Sequence, residues 1–138
     1  MIFYPHDLQI DLDDGWWAEA KMEDFKPCGS TYRVNVGAAK GQNIFEARID
    51  EICPARRKPG VAIFNANEKL SARERVLQIL NGFRADVAIP PIELVDTDTT
   101  TGFRHKLTDG THRLYCALAA GFTHVPAIEG FDITAEYI

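Results

Sequence analysis

The chain has 138 residues, 46% hydrophobic and 25% charged, and carries a net charge of −5. That length and composition suit one globular domain with a buried core, and exclude collagenous, repetitive or low-complexity chains. An acidic balance also disfavours tight nonspecific binding to nucleic acid, which depends on many Lys and Arg contacts to phosphates.

The charge is unevenly placed. Residues 1–24 hold seven carboxylates against Lys21, a local balance of −6, so the remainder sums to +1. Two basic runs stand out, Arg56-Arg57-Lys58 and Arg104-His105-Lys106. Each is readable as a solvated surface or as a local anion-binding patch. Cys28, Cys53 and Cys116 are widely spaced and form no Cys-x-x-Cys pair, which argues against a disulfide framework and a structural zinc site. The N-terminus lacks the pattern of a secretory signal, and no run approaches the ~18 apolar residues a membrane span requires. The expectation is a cytoplasmic protein with no membrane partner.

Asp13-Asp14-Gly15 is a turn signal, and Trp16 to Met22 reads as a short strand or one helical turn. The paired tryptophans suit a core-and-edge anchor. After the Pro27–Ser30 turn, Tyr32-Arg33-Val34-Asn35-Val36 alternates like a strand, as does Ile44–Ile49, closed by Asp50-Glu51-Ile52. A basic loop, 54–60, lies between two prolines, and Val61–Phe64 is an apolar run of open type. Ser71-Ala72-Arg73-Glu74 fits a capping box, followed by Val76, Leu77, Ile79, Leu80 and Phe83 mainly on one helical face. Asn81-Gly82 marks roughly the end of that helix.

Pro90-Pro91 forces an extended entry into the strand Ile92–Val95. A polar loop from Asp96 to Gly102 joins it as a hairpin to Phe103–Leu107. Asp109-Gly110 turns into a helix from about Thr111 to Ala120, which Gly121 ends. His124–Ile128 is a last strand. From residue 44 the order is strand, loop, helix, strand, strand, helix, strand. It predicts an α+β domain, a small mixed β-sheet packed with helices, its core at 44–128 and its N-terminal extension, 1–43, without an assigned role.

The turn before the last helix carries the chemistry. The first amides of a helix have no internal partner, and its dipole places partial positive charge there. Gly110 lets a ligand approach the backbone, Thr111 offers a hydroxyl, and His112 and Arg113 add donors in the same turn. Asp109 suits a helix cap, a base, or a carboxylate for a metal ion beside phosphate. The same pattern alone is also compatible with a purely structural capped helix. Three histidines, His105, His112 and His124, match no familiar metal-ligand spacing; Mg²⁺ shared with substrate phosphates fits better. Cys116 and Tyr115 read as core residues.

Pro91-Ile92-Glu93-Leu94, the hairpin, and Lys106-Leu107-Thr108-Asp109-Gly110-Thr111-His112-Arg113 running into Leu114–Pro126 resemble the ParB/sulfiredoxin superfamily, in its Asp-Gly-x-His-Arg branch. The resemblance covers roughly 44–128 and is specific from Pro90 onward. It implies a ParB/sulfiredoxin-like fold whose turn binds nucleotide phosphates, as in CTP-hydrolysing partition proteins, ATP-dependent sulfiredoxins and a free-serine kinase.

Carried onto this chain, the resemblance makes Gly110, Thr111, His112 and Arg113 phosphate ligands, with Arg56 and Arg57 a loose match to a second, arginine-containing box. It makes Asp109, His112 and Glu51 the catalytic candidates. Thr111 stands where sulfiredoxins carry cysteine, which argues against sulfinic acid reduction. With ten residues after Ile128, the partition proteins' helix-turn-helix and dimerisation regions are not expected. The leading expectation is hydrolysis of ATP or CTP, or transfer of the terminal phosphoryl group, assisted by Mg²⁺. The alternatives are a noncatalytic nucleotide- or nucleic-acid-binding module that recruits a protein partner through its acidic segment, and a metal-assisted nuclease.

Overall fold

The computed structural model describes residues 1–130. It opens with two short strands, β1 (Ile2–Phe3) and β2 (Ile10–Asp11), paired antiparallel. Asp13 caps the six-residue helix α1 (Asp14–Glu19), its carboxylate accepting from the amides of Gly15 and Trp16. The tryptophan segment is therefore helical. β3 (Phe45–Arg48) and β4 (Ile52–Cys53) follow, then α2 (Ala72–Arg84), β5 (Ile92–Asp96), β6 (His105–Asp109), α3 (Thr111–Ala120) and β7 (His124–Glu129).

Five of the strands form one mixed sheet in the order β3-β7-β5-β6-β4. β5 and β6 are the expected antiparallel hairpin, with a register shift at Glu93/Leu94. β7 pairs parallel to β5 on its other side, and β3 closes that edge antiparallel to β7. The step from β6 to β7 crosses β5, and α3 is the element that makes it, packing on β5 and on α2. The fold is thus α+β with a mixed sheet and helices against it, as the element order implied.

Two expectations are corrected. Tyr32–Val36 is not a strand: Val34 makes a single parallel bridge to Ile89, and a 3₁₀ turn starts at Val36. Its other anchor is a side chain, for the Tyr32 hydroxyl donates to the Pro90 carbonyl at 2.6 Å. Moreover, Asn81-Gly82 does not end α2, which runs on to Arg84. Gly82 is buried there because a Cβ would sit 2.9 Å from Ile89 Cδ1; the glycine lets the following loop fold back onto the helix. The short strand β4, parallel to β6, was also not anticipated.

The core lies between the sheet and the helices. Val76 and Leu80 of α2, Leu114 and Ala117 of α3, and Ile92, Leu94, Val125 and Ala127 of the sheet belong to one buried cluster. Ile10, Leu12, Met22 and Tyr32 belong to the same cluster, so the N-terminal segment is packed into it. Each large aliphatic side chain so buried contributes about 1.5–3 kcal/mol. Cys116 is fully buried, and desolvation drives its thiol pKa well upward, which leaves it an unreactive core residue. Tyr115 is buried too, with its hydroxyl donating to the Ala55 carbonyl. Among the described residues no helix is long and apolar enough to cross a membrane.

Candidate functional site

β6 runs directly into α3 through Gly110, whose φ of +110° lies in the left-handed region. A Cβ there would stand 2.7 Å from Ile92 Cγ2, so both conformation and space demand glycine. Gly110 is itself the residue preceding the first helical turn, and among the described residues no side chain caps that end. Asp109 does not cap, contrary to one of the roles its sequence suggested. The first helical bond runs from the Leu114 amide to the Gly110 carbonyl, so the amides of Thr111, His112 and Arg113 are the ones left for an outside acceptor.

These amides border an open cavity of about 750 Å³, a size within the range of small-molecule sites. Its lining combines Gly110, Thr111 and the arginines Arg113, Arg57 and Arg75 with the apolar residues Ile79, Val87, Ile89 and Pro90. Three elements supply the three guanidinium groups: the basic loop, α2 and α3. Arg57 Nε donates to the Ile63 carbonyl at 2.9 Å. Arg75 Nη1 donates to the main-chain oxygen and to Oδ1 of Asn65, at 3.0 and 2.9 Å. Neither has a carboxylate partner among the described residues. Among the described residues Asp109 is the one carboxylate that lines the cavity, and its Oδ2 lies 3.3 Å from Arg113 Nη2.

Burial, then the nearby guanidinium groups of Arg57 and Arg113, holds the Arg75 pKa below its ordinary value. Arginine stays charged regardless, so the direction reports burial of the charge first and crowding by like charge second. With three cations against one anion, the lining holds two positive charges in excess, in a chain whose overall charge is −5. Such a concentration of guanidinium groups in a cavity attracts anions.

His112 also lines the cavity, but its ring is engaged within the protein. It is 5% exposed, its ring packs against Phe64, and its Nε2 accepts from the Asn65 amide at 3.1 Å. An accepting Nε2 carries no proton, so the neutral ring holds its hydrogen on Nδ1. Burial first, and then the positive charges of Arg75 and Arg57, pushes the pKa of His112 down to about 4. At neutral pH it adds no charge to the cavity. Instead it fixes Asn65, which in turn orients Arg75.

The sequence candidates therefore separate. Gly110, Thr111, His112, Arg113, Asp109 and Arg57 all line the cavity, whereas Arg56 and Glu51 do not. Arg56 turns away and pairs with Asp7 of the acidic N-terminal segment. Glu51 lies beside Arg48 and Arg104, at the start of β6. Asp109 ends that strand four residues beyond His105, about 13 Å away at the usual rise of a strand. Arg75 and Asn65 were missed. The capping box that places α2 was visible, but Arg75 carries no local mark separating it from a solvated helix residue. Among the described residues no three His, Cys, Asp or Glu side chains gather as a metal-ligand set.

Comparison with family models, curated proteins and solved structures finds no match for this chain.

Proposed function

We propose that this chain is a nucleotide-binding domain of the ParB/sulfiredoxin-like class, holding the phosphates of ATP or CTP at Gly110–Arg113. The observation that carries the reading is an uncapped helix N-terminus opening on a cavity with three guanidinium groups and one carboxylate. Amides and guanidinium groups together suit the spread negative charge of a phosphate chain, in the ground state and in transfer. The apolar wall of Ile79, Val87, Ile89 and Pro90 takes the base and ribose.

In the catalytic form of this reading, the domain hydrolyses the triphosphate or passes its terminal phosphoryl group to an acceptor. Arg113, Arg75 and Arg57 balance charge on the phosphates, and Asp109 orients the attacking water or hydroxyl. Mg²⁺ fits the donor set in one way: Asp109 supplies one carboxylate and the phosphates supply the rest, the usual mode for this ion. There it would neutralise phosphate charge. His112 is a positioning residue for Asn65 and Arg75, and Glu51 and Arg56 have no part.

A second reading is a noncatalytic nucleotide-binding module whose acidic N-terminal segment recruits a protein partner. It is favoured by the cavity having a single carboxylate and a histidine held neutral.

A thermal-shift screen of the four ribonucleoside triphosphates, with and without Mg²⁺, tests both readings. At least one triphosphate should raise the melting temperature, and Arg113→Ala should abolish the rise. Phosphate release lost in Asp109→Ala selects the catalytic form; binding without turnover selects the module. Cleavage of single-stranded DNA lost on the same substitution would instead indicate a metal-assisted nuclease. The absence of any nucleotide effect would refute the proposal.

A further inference from the structure

We infer that Asp109 stands in for a ligand phosphate on Arg113, and that a bound polyphosphate displaces it. This rests on the nucleotide reading above and adds to it an internal competitor for the site.

The pairing is unequal. The Arg113 side chain is 22% exposed, and its Nε is buried without a hydrogen-bond partner among the described residues. The fork is therefore largely buried but only part used. Its contact with Asp109 is a single one of 3.3 Å, longer than the 2.7–2.9 Å of a strong charge-assisted bond. Asp109, by contrast, is 64% exposed, and its carboxylate makes no other hydrogen bond among the described residues. A largely buried cation thus meets a loosely held anion.

A phosphate on the amides of Thr111–Arg113 would reach the same guanidinium group with more oxygens and more charge. Two anions crowded at one cation repel each other, so the looser one gives way. Moving Asp109 aside also raises the excess charge facing the ligand from two to three. The exchange has a functional consequence: the one carboxylate of the cavity becomes free to face water, a hydroxyl or a cation only when phosphate is present.

The test is titration calorimetry with inorganic tripolyphosphate in metal-free buffer, on the wild type, Asp109→Asn, Arg113→Gln and the double variant. Metal is left out because Asp109 is also the candidate Mg²⁺ ligand. Removing the competing charge should tighten binding about tenfold in Asp109→Asn, as expected for a partly exposed charge at contact distance. The same substitution should have little effect in the Arg113→Gln background. Melting temperatures of all four proteins control for folding.

If the wild type binds and Arg113→Gln weakens binding, but Asp109→Asn binds no tighter, displacement is wrong and the nucleotide reading stands. Tightening that persists in the double variant would show a general charge effect and also overturn displacement. If no protein of the set binds tripolyphosphate, both the inference and the reading beneath it fall.

Discussion

Replacing Gly110 by alanine tests whether the turn is built as described. The residue sits at φ +110°, and the new methyl group would lie 2.7 and 3.0 Å from Ile92 Cγ2 and Cβ and 3.1 Å from Arg113 Nη2. Left-handed backbone costs a non-glycine residue about 1–2 kcal/mol, and forcing a methyl into packed surroundings costs about 1–3 kcal/mol more. Lower entropy of the unfolded chain returns less than about 1 kcal/mol. The net loss is about 2–4 kcal/mol, a fall in melting temperature of roughly 10 °C for a domain of this size. Gly41→Ala is the control, because its φ is +74° and no atom lies within 4 Å of the added Cβ. It bears the backbone term alone, about 1 kcal/mol. Urea unfolding of the two variants gives the difference. Equal losses would refute the steric argument, and with it the close packing of Ile92 beneath the turn.

Acid should weaken the fold through His112. Its folded pKa, near 4, is below the unfolded value of about 6.5, so its contribution is full above pH 6.5 and is lost as pH falls toward 4. The loss approaches about 3 kcal/mol, and urea unfolding of the wild type against His112→Gln between pH 7 and 4 should show the variant with the shallower dependence. A parallel pH profile in the two proteins would contradict the neutral, buried ring. Arg75→Ala should weaken triphosphate binding about tenfold in calorimetry, with less effect at high salt, since it removes one of three clustered charges. Ser71→Ala removes the bond from the Glu74 amide to Ser71 Oγ, 3.1 Å long; it should cost about 1 kcal/mol in thermal unfolding.

Elements with local signals were legible in the sequence. Ser71 and Glu74 announced α2, and the Asp109-Gly110 turn with Gly121 bounded α3 because each end is set by residues a few positions apart. The same locality made the glycine turn at the start of α3 readable. β4 was not, since its two residues pair only with β6, about fifty positions later. The segment at Tyr32 alternates well enough for a strand, but the sheet edge it would need is taken by β3 and β4. Arg75 and His112 show the limit most clearly. Both owe their roles to Asn65, 10 residues from one and 47 from the other, and nothing near either in sequence reports that meeting. Glu51 and Arg56 differ in the opposite sense: each has the chemistry the turn would call for, but each lies outside the cavity beside ion-pair partners distant in sequence.

The most direct measurement is a two-dimensional amide NMR titration with ATP or CTP, whichever the thermal screen selects. The largest shifts should fall on the main-chain amides of Gly110 to Arg113 and on Arg113 Nε–H, with Arg75 Nε–H following. Shifts confined to the apolar pocket on the other side of α3, around Ile49, Leu118 and Phe122, or none at saturating nucleotide, would contradict the proposed site.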